Sequence, residues 1–117
     1  MKILYVENHS VFAKQVTMQF LSSHEVTIVP SLVEARLFLS KERVDLVLID
    51  YDLDDGKGEK LITEIRNQFP ALATIGVSSH DEGNQKMLKA GANAVCSKMD
   101  FDNIGAIIAK TVSRATP

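Results

Sequence analysis

The chain is predicted to be an α/β protein, a doubly wound parallel sheet with helices on both faces. Three observations predict it: five short apolar runs rich in β-branched residues, segments of helical spacing between and after them, and strict alternation of the two. Crossovers of this length join parallel strands, since antiparallel neighbours need only a tight turn.

The first strand is read at Ile3 to Val6 and stops at the polar Glu7. Phe12, Val16 and Phe20 follow at four-residue spacing and mark the first helix. Val26 to Val29 form the second strand, and Leu32, Ala35 and Leu39 the apolar face of the second helix. Ser31, with Glu34 three residues on, has the pattern of a capping box at its start. The third strand, Leu46-Val47-Leu48-Ile49, is apolar at every position, as a strand covered on both faces requires, and it delivers the Asp50 carboxylate to its tip.

Leu61, Ile62, Ile65 and Phe69 give the third helix, which Pro70 ends. The fourth strand is Thr74 to Val77. Its helix rests on Met87 and Leu88 alone, with Gly91 suited to the turn that follows. Ala94 to Cys96 is the fifth strand, and Ile104, Ile107, Ile108 and Val112 form the last helix, with Asp102 placed to cap it. The last helical pattern ends near Arg114, and repeats, linkers and low-complexity segments are lacking, so residues 1–117 are expected to form one domain, with no effector domain within them.

A net charge of -2 gives no basic surface for gripping phosphate backbones, which argues against direct nucleic-acid binding. The single cysteine, Cys96, excludes an internal disulfide and a thiolate zinc cluster. The apolar stretch from Met1 to Val6 is too short for a signal peptide or a membrane span. The expectation is a cytoplasmic protein without a membrane partner.

Open α/β sheets place their chemistry at the carboxyl ends of the strands. Adjacent first and third strands would bring Glu7 and Asn8 toward Asp50, with Asp52 in the following loop. Those oxygens suit a hard divalent cation such as magnesium, which keeps several waters and needs few protein ligands. Strand ends are also acidic simply because they meet water, and spacing does not separate the two readings. Ser78 closes the fourth strand and Lys98 follows the fifth, adding hydroxyl and ammonium groups to the same edge. Taken singly, serine here is an ordinary turn former and lysine an ordinary solvated charge.

Taken in order, Glu7-Asn8, Asp50, Ser78 and Lys98 on successive strand ends, with the loop Leu53-Asp54-Asp55-Gly56-Lys57-Gly58 and Lys89-Ala90-Gly91-Ala92 before Lys98, resemble the receiver domain of two-component response regulators. The resemblance covers almost the whole chain and implies a flavodoxin-like five-stranded sheet of order 2-1-3-4-5 with five helices. It implies that Asp50 accepts a phosphoryl group from a histidine kinase or phosphotransfer protein, in a signalling module of a phosphorelay rather than an enzyme. Magnesium would be held by Glu7, Asn8, Asp50 and the Asp52 carbonyl, Lys98 would pair with a phosphoryl oxygen, and the Ser78 hydroxyl would report the modification to a downstream protein or effector domain.

Four positions depart from that pattern. Asn8 replaces the second acidic residue, which predicts weaker magnesium binding, because a unit charge about 4 Å from a divalent ion is worth up to several kcal/mol at an effective dielectric near 20. Val95 stands where an aromatic switch residue is common, and Met99 and Asp54 stand at usual proline positions, so a cis peptide at Lys98-Met99 is not expected. Two rival functions follow: a degenerate receiver that binds partners without phosphorylation, and a small flavodoxin-like cofactor carrier. The second would want a glycine-rich loop after the first strand, where Glu7-Asn8-His9-Ser10 instead presents a negative charge. Homodimerisation through the fourth and fifth helices is compatible with the resemblance, but no apolar stripe demands it.

Overall fold

A computed structural model describes residues 1–115. Its main sheet consists of β1 (Lys2–Val6), β2 (Glu25–Val29), β3 (Leu46–Asp50), β4 (Ala73–Ser78) and β5 (Ala94–Ser97), all parallel, in the order β2-β1-β3-β4-β5. The helices are α1 (Ser10–Phe20), α2 (Leu32–Lys41), α3 (Gly58–Gln68), α4 (Asp81–Lys89) and α5 (Ile104–Ala115). The fold class and strand order are those expected from the sequence. None of the helices among the described residues is long and apolar enough to cross a membrane.

Alternation along the strands explains why the central runs are apolar throughout. Ile3, Tyr5, Leu46, Leu48, Ile75 and Val77 point to one face, where Ala13 and Val16 of α1 and Ile104 and Ile108 of α5 cover them. Leu4, Val6, Val47 and Ile49 point to the other, against Leu32 and Ala35 of α2, Leu61, Ile62 and Ile65 of α3, and Met87 of α4. With both faces covered, no position on β3 can be polar until the strand ends at Asp50.

Helix ends follow local chemistry. Ser31 Oγ accepts from the Glu34 amide at 3.2 Å, as its capping pattern suggested. The α2 amino end has a second cap that only the fold supplies: the Asp55 carboxylate accepts from the Leu32 and Val33 amides at 2.9 and 3.0 Å. Those bonds hold the Asp55 carboxyl below its usual range. The sparsely patterned α4 is closed firmly, because Gly91 at φ 113° lets its amide reach the Leu88 carbonyl and lets the Ala92 amide reach Met87, each at 3.0 Å.

Several local expectations differ. Phe69 lies past the end of α3 and is 38% exposed, as is Leu88, because neither falls on the face its helix turns to the sheet. Asp102 sits inside a 3₁₀ segment, Lys98–Asn103, that runs straight into α5, so it does not occupy an N-cap. Phe101 of that segment is buried and gathers Tyr5, Phe12 and Phe20 around itself at centroid distances of 6.0 to 6.1 Å.

Tyr5 is fully buried and its hydroxyl finds no partner. An unmet buried hydroxyl costs about 1–3 kcal/mol, more than the packing of one oxygen returns. Tyr5→Phe is therefore expected to raise stability by about 1 kcal/mol, read as a higher midpoint in urea; a lower midpoint would refute the assignment of that hydroxyl as unpaired.

Candidate functional site

The carboxyl ends of β1, β3 and β5 bring three of the expected side chains together. Glu7 immediately follows β1 and is fully buried, held in part by its His9 amide, which donates to Oε2 at 3.3 Å. Asp50 ends β3 and is 4% exposed. Lys98 follows β5 and reaches across so that its Nζ stands 2.7 Å from Glu7 Oε1 and 3.2 Å from Asp50 Oδ1. The Phe12 ring lies 5.2 Å beneath the ammonium and closes the pocket on the α1 side.

Two carboxylates share one ammonium in a largely dry setting, so the site carries excess negative potential. Burial first, then Glu7, push the Asp50 carboxyl up from 3.8 to about 6, against the downward pull of Lys98. The pocket is thus built to attract a cation or to be relieved by neutralising Asp50.

Other expected residues are placed differently. Asn8 directs its Nδ2 to Asp54 Oδ1 at 3.0 Å, which leaves its Oδ1 buried without a donor. The Asp52 carboxylate points to solvent and pairs with Lys57 across a two-stranded hairpin, Asp52–Leu53 with Gly56–Lys57. Accordingly, no group of three His, Cys, Asp or Glu side chains among the described residues is arranged as a metal cluster. Two buried carboxylates and an orphaned amide oxygen nevertheless fit a hard cation that retains water. For Asp52, only its backbone carbonyl remains available for such a role.

Ser78 is buried at the end of β4, while Ser79 is exposed. Its Oγ accepts from the His80 amide at 3.1 Å, and its carbonyl receives Asn84 Nδ2 at 3.4 Å. His80 itself is an exposed residue at the start of α4. Gly83 of α4 lies against the hydroxyl, since a Cβ there would stand 2.9 Å from Ser78 Oγ and 2.8 Å from Tyr51 Cγ. Val95 is half-buried among the residues packed under α3 and α4.

Two residues that hold the site were given no role of their own in the sequence. Gly58 opens α3 directly beneath Asp50, where a Cβ would stand 2.2 Å from the Asp50 carbonyl oxygen, and its amide donates to the Tyr51 carbonyl at 2.7 Å. The ammonium groups of Lys57 and Lys86 both lie over the Tyr51 ring, at 5.0 and 5.9 Å from its centroid. The glycine after an acidic loop was the available signal for the first; nothing local marked the second.

A family model described as the response regulator receiver domain matches residues 3–109. Among solved structures, a CheY-like receiver domain protein from Methanospirillum hungatei superposes with a TM-score of 0.87 at 22% identity, covering 97% of this chain and 94% of that one. A two-component response regulator from Clostridium difficile gives 0.87 at 19% identity, with 100% and 99% covered. The receiver domain of NtrX from Brucella abortus gives 0.85 at 23%, with 95% and 98% covered. No curated protein matches the chain.

Proposed function

Because this chain belongs to the response regulator receiver domain family, we propose that it is a phosphoacceptor: Asp50 takes a phosphoryl group from a histidine kinase or phosphotransfer protein, and the modified state changes its binding of a downstream protein or effector domain. The observation that carries this reading is the buried Asp50 carboxylate within 3.2 Å of Lys98 Nζ.

In the transfer, an Asp50 oxygen forms a bond to phosphorus while the donor's bond to phosphorus breaks and its electron pair leaves with the donor. Asp50 must be ionised to attack, and Lys98 favours that form. Once phosphorus is bound, Lys98 can leave the carboxylate for a phosphoryl oxygen, a move that keeps its charge paired throughout. The Ser78 hydroxyl, now only an acceptor for an amide, has a proton free to donate to a second oxygen. Magnesium, when bound, neutralises the phosphoryl oxygens as charge builds on them. Its donors would be Glu7, Asn8, Asp50 and the Asp52 carbonyl.

Incubation with magnesium and acetyl phosphate is expected to add the mass of one phosphoryl group, and Asp50→Asn to abolish that gain. Unmodified wild-type protein under the same conditions would overturn the proposal in favour of a module that binds partners without phosphorylation.

A further inference from the structure

We infer that Asp54 is a positioning residue for the cation site: by accepting from Asn8 Nδ2 at 3.0 Å it holds the amide so that its carbonyl oxygen stays buried, unpartnered and available to the metal. The inference rests on the magnesium-dependent reading of the Asp50 pocket and adds to it a role for a loop residue outside the ligand set.

An asparagine has two unlike ends, and only its oxygen can serve a cation; its NH₂ would present two positive hydrogens. Which end faces inward is decided by what the other end binds. Here the outer partner is a carboxylate, which accepts and cannot donate, so the amide has one satisfied orientation. The inner oxygen is buried with no donor of its own, a state that costs free energy unless a cation or water meets it. The contact also joins the segment after β1 to the loop after β3 that carries the Asp52 carbonyl, so one hydrogen bond ties together two stretches from which ligands would come.

The two residues compensate for each other. Asn8 brings no charge to the site, and Asp54 stands nearby with one. Because Asp54 is exposed, solvent and salt screen its charge, and orientation is the larger part of its effect.

Magnesium binding to the full chain, measured by calorimetry without phosphodonor, tests this. Asp54→Ala is expected to weaken binding about tenfold or more, as loss of an outer-shell partner does. Asp54→Asn, whose amide can either accept from Asn8 Nδ2 or donate to Asn8 Oδ1, no longer imposes one orientation and should weaken binding by less than Asp54→Ala but measurably. In an Asn8→Asp background, position 8 cannot donate, and Asp54→Ala should leave affinity unchanged or raise it. Equal weakening by Asp54→Ala in both backgrounds would overturn orientation in favour of plain charge, and absence of saturable binding by wild type at millimolar magnesium would overturn the inference outright. Wild type that is phosphorylated on Asp50, with magnesium affinity indifferent to Asp54, would sink this inference and leave the phosphoacceptor reading standing. Thermal unfolding in a chelator reports whether each variant is folded.

Discussion

Gly58→Ala is expected to lower stability by about 3 kcal/mol or more and to stop phosphoryl transfer to Asp50. The added methyl would stand 2.2 Å from the Asp50 carbonyl oxygen and 2.8 Å from Ile49 Cγ2. The first is backbone of the central strand, hydrogen-bonded into the sheet, and the second is a fully buried β-branched side chain, so neither yields easily. Relief must come from moving α3 off β3, which opens the core around Leu61 and Ile62, or from shifting Asp50 itself. The check is urea unfolding alongside the phosphorylation assay. A variant within about 1 kcal/mol of wild type and still modified would show that the approach of helix to strand is looser than described.

Asp50→Asn should do the reverse for stability. The folded-state value near 6 lies above the ordinary 3.8, so folding favours the protonated carboxyl. Stability from this group is fully present below about pH 4, declines as pH rises through the folded value, and above it stays lower by up to about 3 kcal/mol. An amide cannot ionise and escapes that decline, although it leaves Lys98 with Glu7 alone. The variant is therefore expected to exceed wild type by about 1–3 kcal/mol at pH 8 in chelator, and to match it near pH 4. Unfolding curves at the two pH values decide; a gain of equal size at both would mean that something other than ionisation of Asp50 is responsible. On the proposed function this gain is expected to come with loss of phosphorylation, so the position would trade stability for chemistry.

The arrangement of strands and helices was legible because burial on two faces forces apolar runs into β1, β3 and β4, while one-sided helices repeat every three or four residues. Glu7, Asp50 and Lys98 could be named because strand ends in a parallel sheet converge whatever the loops do. What escaped notice is non-local or too short to have a period. The hairpin from Asp52 to Lys57 has two residues on each side, and its charged sequence resembles solvated loop. The bond between Asn8 and Asp54 joins residues 46 apart in the chain. The Asp55 cap on α2 similarly belongs to the assembled fold, and Phe69 continued a helical period that the backbone had already left.

The close approach of α4 to the end of β4 has a mechanical consequence through Gly83. A main chain resting directly on a hydroxyl and an aromatic ring has no side-chain cushion, so rotation of Ser78 alters the seat of the helix itself. Coupling of this kind requires no bulky lever at Val95. In the proposed switch the message would leave through displacement of a rigid rod, whose polar outer face, with the exposed Glu82, Gln85 and Lys86, would carry it to whatever docks there.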